Sequence, residues 1–309
     1  MKQTILGANG IIGNELAKSL LQYTRNIRLV SRNPKSVNNS DELFAADLLN
    51  ANETEKAVAG SEVVYLTVGI TYKAKIWQKQ WPIIMQNVMD ACKKHQAKLV
   101  FFDNVYMYGK VDGWMTEDTV QKPISKKGKV RAYVADMLMA EVERGNLKAL
   151  IARSADFYGP NTPASMISAI VFENFAKGKN AMYMLNDKAK HSYTYTPDAG
   201  KATALLGNTY SAYGQVWHLP SDHDVLTGKE FIHKTAEAFE VAPKYRVIPL
   251  GFLKVMALFN PMIKESLEML YQNKQDYLFD STKFQKAFNW KPTLYPEGIE
   301  QTVKSYKRE

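Results

Sequence analysis

The sequence of 309 residues has little cysteine, little histidine and no long uninterrupted apolar run. Its one cysteine, Cys92, excludes an internal disulfide and is typical of a protein from a reducing, cytoplasmic compartment. The five histidines do not have the spacing of zinc ligands, so we expect no metal site. The sequence also lacks a G-x-S-x-G segment, which argues against a serine hydrolase of the α/β type.

The most apolar stretch in the second half covers residues 247–263, where Lys254, Pro249 and Pro261 interrupt it. This stretch is too short and too interrupted to span a bilayer. We predict instead an amphipathic helix that packs on the core. The sequence has no pattern of a secretory signal after Met1, and we expect no membrane partner.

The net charge of +9 raises the question of a nucleic-acid partner. The lysines are scattered along the chain, and no zinc-finger, KH or RNP pattern accompanies them. We therefore interpret the excess charge as a solvated surface and expect no nucleic-acid partner. One local cluster of basic residues stands apart from this scatter, and it consists of Lys122, Lys126, Lys127, Lys129 and Arg131.

Short apolar segments alternate with helical segments through the first half of the chain. Strands are predicted at residues 4–6, 27–30, 43–46, 63–68, 99–102 and 149–152, and helices at 11–23, 53–59, 75–95 and 127–144. A further strand at 216–219 would return to the same sheet. Short, wholly apolar strands suit a sheet that is covered on both faces. The pattern predicts the α/β class, with a doubly wound parallel sheet.

A glycine-rich segment, spaced G-x-x-G-x-x-G, follows the first predicted strand and opens the first predicted helix. In such a segment the first glycine allows a tight turn, the second lets the backbone approach a pyrophosphate, and the third lets helix and strand pack closely. Unpaired N–H groups at the helix N-terminus would bind the phosphates. The predicted dinucleotide-binding residues here are Gly7, Asn9, Gly10, Ile11, Ile12 and Gly13.

The end of the second predicted strand bears on the choice between NAD and NADP. An NAD site usually has an acidic residue there, which holds the ribose 2′-hydroxyl. In this chain Ser31 and Arg32 follow Val30, and no carboxylate occurs as far as Lys35. The Arg32 guanidinium can bind a 2′-phosphate through two parallel hydrogen bonds. The sequence therefore favours NADP(H) over NAD(H), with Ser31 and Arg32 in the site.

Two parts of the chain are expected to have different tasks. We predict that residues 1–155 and about 193–222 form the dinucleotide-binding Rossmann domain. Residues 156–192 and 223–309 would form a smaller substrate lobe, because the alternation of strands and helices weakens there. A small molecule would bind at the carboxyl ends of the strands.

Further motifs resemble those of the extended short-chain dehydrogenase/reductases, in their NAD-dependent epimerase/dehydratase group. The resemblance covers nearly the whole chain, and the form of the glycine segment belongs to it. It implies that Asp47 and Leu48 contact the adenine and that Thr67, Val68 and Gly69 lie beside the cofactor. The other segments that carry the resemblance are residues 105–109, 153–160, 196–198, 279–283 and 289–292.

The chain departs from this family at the positions of the catalytic residues. Typical members have a Tyr and, four residues later, a Lys on the helix after the fifth strand, with an upstream Ser or Thr and an Asn. The matching positions here hold Lys127, Arg131, Asn104 and Gln80, respectively. A Tyr-x-x-x-Lys string does occur at residues 106–110, on the loop after the strand, and we interpret it as coincidence. The chain thus resembles the atypical members, whose activity is mostly undefined.

The residues at these positions still suggest candidate catalytic roles. Lys127 could act as a proton donor or as an electrostatic clamp on an oxyanion. Asn104 would donate to a carbonyl oxygen, and Asp103 could position a lysine or a substrate hydroxyl. Arg131 would contribute charge only, because a guanidinium is no acid or base near neutral pH. A second possibility is that the two cations bind an anionic substrate or a phosphate. A third is that both are ordinary helix residues in a site that has lost its chemistry.

Two functions of different classes follow from these observations. The first is an NADP(H)-linked oxidoreductase, or an epimerase/dehydratase-like enzyme, acting on a small polar substrate of carbonyl or sugar type. The second is an NADP(H)-binding sensor or scaffold without turnover. A nucleotide-sugar binder is a third and weaker interpretation, by family analogy alone. The resemblance also allows a homodimer, paired through the long helices after strands four and five.

Overall fold

A computed structural model describes residues 1–307, which form two compact units. The first unit is built from Met1–Met107, Lys126–Ser154 and Ala199–Leu219. The second unit is built from Tyr108–Ser125, Ala155–Asp198 and the residues from Pro220 onward. Residues 108–125 and 193–198, which the sequence assigned to the Rossmann domain, belong to the second unit because their strands pair there.

Thirteen strands occur among the described residues. In chain order they are β1 (Gln3–Leu6), β2 (Ile27–Ser31), β3 (Glu42–Ala45), β4 (Val63–Leu66), β5 (Lys98–Asp103), β6 (Trp114–Met115), β7 (Ala149–Arg153), β8 (Asp156–Tyr158), β9 (Ala181–Met184), β10 (Tyr193–Tyr195), β11 (Val216–His218), β12 (Tyr245–Ile248) and β13 (Leu278–Phe279).

Eleven α-helices connect these strands within the same range. They are α1 (Ile11–Leu20), α2 (Ala51–Val58), α3 (Ala74–His95), α4 (Lys126–Glu143), α5 (Glu173–Ala176), α6 (Thr196–Gly207), α7 (Gly228–Phe239), α8 (Leu250–Phe259), α9 (Pro261–Ser266), α10 (Thr282–Phe288) and α11 (Tyr295–Tyr306).

The first unit contains a seven-stranded parallel sheet in the order β11-β7-β5-β4-β1-β2-β3. The predicted doubly wound α/β fold is confirmed. The order reverses beside β1, because the chain first adds β2 and β3 on one side and then β4 and β5 on the other. In open α/β sheets this reversal opens a crevice at the carboxyl ends of the strands, where ligands bind.

Burial explains which residues form the sheet. All residues of β1, β4 and β7 are buried, as expected for parallel strands that helices cover on both faces. The edge strand β3 instead alternates between half-buried and exposed residues. The first helix, α1, buries Ile12, Leu16 and Leu20, which share one face at a spacing of four residues.

The second unit has three two-stranded parallel pairs, β10-β8, β12-β9 and β13-β6, and it contains an aromatic cluster. Tyr158 packs edge-on against Phe231 at a centroid distance of 5.7 Å, and Tyr295 lies at the same distance from Tyr158. Burial raises the pKa of the Tyr158 hydroxyl well above its usual range. These tyrosines therefore pack as neutral side chains.

The apolar stretch at residues 247–263 differs from its prediction. It forms part of β12 and two helices, α8 and α9, rather than one helix. Leu253 and Ala257 are buried, but Leu258 and Phe259 are largely exposed. The prediction of an amphipathic helix packed on the core was wrong, because α8 is apolar on its outer face as well. No helix within residues 1–307 is both long and apolar enough to cross a membrane.

Candidate cofactor and active site

The glycine-rich segment lies where β1 ends and α1 begins. The backbone N–H groups of Gly7 and Ala8 both donate to the Val30 carbonyl oxygen at the end of β2, at 2.9 and 3.2 Å. Gly10 is the N-cap of α1 and provides no side chain to cap it. The N–H groups of the first turn of α1 are therefore available to an anion, which the helix dipole also favours.

Two of the glycines are required by close backbone contacts. Gly7 has a positive φ of 101°, and a Cβ there would lie 2.5 Å from the Cα of Val68. A Cβ at Gly13 would lie 2.6 Å from the carbonyl oxygen of Gly7. Backbone cannot move aside as a flexible side chain can, so alanine at either position must displace the loop. The segment leaves room for a phosphate to approach the backbone only while both positions remain glycine.

Asn9 connects the glycine-rich segment to the loop after β2. Its Nδ2 donates to the Asn33 carbonyl oxygen at 2.6 Å, and its Oδ1 accepts from the Lys35 N–H at 3.2 Å. Ser31, at the end of β2, has a buried hydroxyl without a hydrogen-bond partner among the described residues, and Arg32 beside it is exposed. The predicted residues from the two strands are thus held side by side, with an orphaned hydroxyl and a cation at the end of β2.

The remaining predicted cofactor residues follow β3 and β4. Ala46 N–H donates to the Ser31 carbonyl oxygen at 3.0 Å, which places Asp47 next to the end of β2. Asp47 Oδ1 accepts from the Leu49 N–H at 3.0 Å, which fixes the turn that contains Leu48. On the other side of β1, Thr67 N–H donates to the Leu6 carbonyl oxygen at 2.9 Å.

The half-buried Val68 and the exposed Gly69 continue from Thr67 beside Gly7. The whole predicted set therefore lies at the carboxyl ends of four adjacent strands, β4-β1-β2-β3.

The candidate catalytic residues centre on a buried carboxylate at the end of β5. Asp103 Oδ1 accepts from Arg131 Nε at 2.6 Å and from the Asn104 N–H at 2.8 Å. Arg153 Nε lies 3.4 Å from Asp103 Oδ2. The Asn104 side chain accepts from the Tyr106 N–H at 3.0 Å and so caps the turn that follows.

Arg131 is packed as part of the core of the first unit. Only 3% of the residue is exposed. Its guanidinium carbon lies 4.3 Å from the ring centre of Trp81 and 4.6 Å from that of Phe101. Cation–π contact and a short ion pair compensate for the lost hydration of the charge. The side chain therefore faces Asp103 and two aromatic rings.

Lys127 is one helical turn before Arg131 on α4 and is fully buried. Its ammonium nitrogen lies 4.3 Å from the ring centre of Tyr72, on the loop between β4 and α3. Trp77 packs edge-on against Tyr72 at 5.7 Å and stacks with Tyr106 at 6.3 Å. Lys127, which the sequence comparison matched to the Tyr of typical members, thus lies in an aromatic environment.

The sequence did not single out Tyr72 or the role of Arg153 in this site. Arg153 lies within a segment that carries the family resemblance, but its contact with Asp103 spans 50 residues of chain. Tyr72 and Lys127 are brought together only by the packing of α4, for which no local pattern exists. No group of His, Cys, Asp or Glu side chains suited to a metal occurs in the part of the chain that the structure describes.

Comparisons with known proteins bear on the family and the fold of the chain. A relative, the "Uncharacterized UDP-glucose epimerase YtcB" of Bacillus subtilis (strain 168), is 21% identical over 239 residues, which are 68% of this chain and 74% of that protein. The structure of the UDP-glucose 4-epimerase of Thermus thermophilus in complex with NAD matches with a TM-score of 0.80 at 20% identity, covering 99% of each chain.

The structure of DesIV, a dTDP-glucose 4,6-dehydratase of Streptomyces venezuelae with NAD and TYD bound, matches with a TM-score of 0.82 at 15% identity. It covers 100% of this chain and 97% of that one. At such identities these structures show a common fold. The family model described as "NAD dependent epimerase/dehydratase family" matches residues 4–218, well over half of the chain. The chain therefore belongs to the NAD dependent epimerase/dehydratase family.

Proposed function

We propose that this protein binds NADP(H) at the carboxyl ends of β4, β1, β2 and β3 and acts on a small polar substrate of carbonyl or sugar type. The observation that carries the proposal is the close backbone contact at Gly7 and Gly13 in front of the uncapped N-terminus of α1. Such a loop has room for a pyrophosphate and donors to bind it. The family to which the chain belongs supports a nicotinamide cofactor.

The preference for NADP(H) rests on the end of β2. Ser31 has a buried hydroxyl without a partner among the described residues, and the exposed Arg32 follows it. A hydroxyl and a guanidinium both donate to phosphate oxygens, whereas a ribose 2′-hydroxyl is held best by a carboxylate. The names of the compared structures mention NAD. The proposed preference therefore distinguishes this chain from those relatives.

The substrate class is inferred from the relatives and from the donors of this chain. The compared proteins are described as UDP-glucose and dTDP-glucose enzymes. A bound nicotinamide ring supplies or accepts a hydride. Beside it, Lys127 would hold or donate the proton at a substrate oxygen, and Asn104 would donate a hydrogen bond from its Nδ2 group. Arg131 would act on Lys127 only through its charge, because its guanidinium is engaged by Asp103.

A second candidate function is cofactor binding without turnover. The observation that favours it is the packing of Arg131 between Trp81, Phe101 and Asp103. In this arrangement the second cation of the pair has a structural role, and Lys127 is left without the Tyr–Lys chemistry of typical members. A sensor or scaffold would keep the glycine-rich segment and need no proton donor.

The first experiment is a titration of the purified protein with NADPH and NADH, followed by cofactor fluorescence. We expect tighter binding of NADPH, and we expect Arg32→Asp to weaken NADPH binding by at least about tenfold because a carboxylate repels the 2′-phosphate. Arg25→Asp, another exposed arginine of the first unit, is the matched control. Equal affinity for both cofactors, or equal effects of the two variants, would disprove the NADP(H) preference.

A second experiment separates the two candidate functions. The protein is loaded with NADP⁺ or NADPH and incubated with UDP-glucose or dTDP-glucose, while absorbance at about 340 nm and the sugar proton spectrum are followed. We expect Lys127→Met to lower turnover by about 10²–10⁴-fold with little change in NADPH affinity, since it removes a proton donor and not a cofactor contact. Tight NADPH binding without conversion of either sugar or of simple carbonyl compounds would favour the binding protein.

A further inference from the structure

The second unit exposes a contiguous run of large apolar side chains on α8 and α9. Leu258 is 79% exposed, Phe259 84% and Met262 70%. Exposed apolar side chains are ordinary when they occur singly, but a group of them marks an interaction site. The members of this apolar patch are Phe252, Val255, Met256, Leu258, Phe259 and Met262.

The geometry of the two helices fixes the positions of the patch side chains. On α8, Leu253 and Ala257 face inward and are buried, while Phe252, Val255 and Phe259 recur at helical spacing on the opposite face. The turn between the helices is fixed by a cap. The Asn260 side chain accepts from the N–H groups of Met262 and Ile263 at 2.9 and 3.3 Å, so Leu258, Phe259 and Met262 project from a defined corner.

Basic side chains predominate around this patch, although α9 also carries the half-buried Glu265. Residues 241–264 contain Lys244, Arg246, Lys254 and Lys264 and no Asp or Glu. All four side chains belong to exposed residues. Within residues 1–307, no ion pair joins any of the four to an acidic side chain. On the segments that form the apolar corner, four exposed basic side chains therefore outnumber one half-buried acidic side chain.

We propose that this patch binds the surface of a lipid bilayer that carries anionic head groups. An apolar corner with lysines beside it matches the boundary between acyl chains and charged head groups. A second copy of the chain would bring four like charges against four, which is repulsive. The core of a protein–protein interface is poor in lysine, which disfavours a protein partner. This association is peripheral, and it departs from the expectation that the chain has no membrane partner.

The test is co-sedimentation of the protein with vesicles of phosphatidylglycerol and phosphatidylcholine, compared with vesicles of phosphatidylcholine alone. We expect binding to the anionic vesicles that weakens as salt is raised. The double variant Leu258→Asp/Phe259→Asp should lose at least about 100-fold in partitioning, because two apolar anchors become anions. Lys254→Gln/Lys264→Gln should lose about 25-fold, at about fivefold for each cation.

Two control variants match these changes elsewhere in the molecule. Val120→Asp alters a valine that is 68% exposed in the second unit, and Lys75→Gln/Lys79→Gln removes two exposed lysines of α3. Neither control should alter vesicle binding. A dye on Met262→Cys reports insertion directly, since Cys92 is buried and is protected from labelling in the folded protein. We expect its emission to shift to the blue when anionic vesicles are added.

Three results would overturn the proposal. The first is the absence of binding to anionic vesicles at low salt. The second is a loss of vesicle binding in the control variants that equals the loss in the patch variants. That result would indicate nonspecific attraction of a basic protein to the vesicles. The third is a blue-shifted dye without vesicles, together with an oligomer that Leu258→Asp/Phe259→Asp dissociates in sedimentation velocity. That result would make a second copy the occupant.

Discussion

Replacing Arg131 with methionine removes a buried cation and keeps an unbranched apolar side chain between Trp81 and Phe101. The Asp103 carboxylate then retains two donors, the Asn104 N–H at 2.8 Å and Arg153 Nε at 3.4 Å. Removal of one partner from a buried ion pair usually costs about 3–5 kcal/mol. Because two donors stay in place, we expect Arg131→Met to lower the free energy of unfolding by about 3 kcal/mol.

The reverse change should be more severe. Asp103→Asn removes the carboxylate that Arg131 and Arg153 share, so two buried guanidinium groups lose their ion pair with it. We expect a loss of about 4–5 kcal/mol. The double variant with Arg131→Met should cost less than the sum of the two, with a coupling free energy of about 2 kcal/mol, because the interaction is lost only once.

Urea unfolding followed by circular dichroism measures these free energies. The comparison requires that the free energy of unfolding falls with urea concentration at the same slope in all variants. Lys177→Met is the matched control, since it breaks an exposed ion pair with Glu173 whose atoms are 2.9 Å apart. It should cost less than about 0.5 kcal/mol. An Arg131→Met variant within about 1 kcal/mol of the wild type, or additive losses in the double variant, would refute a structural role for Arg131.

Three further predictions concern other parts of the chain. Gly13→Ala should weaken NADPH binding at least about tenfold, whereas Gly251→Ala, where a Cβ meets nothing within 4 Å, should not; equal affinities in the fluorescence titration would contradict the close-contact argument. Burial raises the pKa of the Cys92 thiol, so alkylation at pH 8, followed by mass spectrometry, should be at least about 100-fold slower than in urea, and comparable rates would mean that α3 opens readily. The Thr227 N–H and hydroxyl donate to Glu230 and lower the pKa of its carboxyl below 4.5; this stabilisation is present above that pH and is lost as pH falls through the folded pKa. Thr227→Ala should therefore lower the free energy of unfolding in urea by about 1 kcal/mol at pH 7 and by less near pH 3. A loss that does not change with pH would show that the Glu230 carboxylate does not contribute to it.

The parallel sheet and the turn of the glycine-rich segment could be predicted because their signals are local. Each strand of the first unit contains a short apolar stretch, and Gly7, Gly10 and Gly13 mark a turn whose backbone contacts involve neighbouring strands. The predicted helix at 75–95 agrees with α3 to within one residue for the same reason. The spacing of apolar residues predicts burial correctly where other parts of the protein cover the faces on which those residues lie.

The candidate active site was only partly predictable. Family position made Lys127 and Arg131 candidates, but the pairing of Arg131 with Asp103 and of Lys127 with Tyr72 depends on how α4 packs against β5 and the β4 loop. The error at α8 has a different cause. An apolar composition indicates that a helix avoids water, and it does not say whether the protein itself covers each face of that helix.

The order of strands in the sheet also has a consequence for biosynthesis. Because β11 pairs with β7 through Val216 and Ile151, the sheet cannot be completed until the ribosome has made the segment that lies between them and then β11 itself. Until that time β7 is an edge strand with unpaired N–H and C=O groups, a template for pairing with other chains. We therefore expect nascent chains that stall before Val216 to aggregate or to require a chaperone, although most of their sheet is already formed.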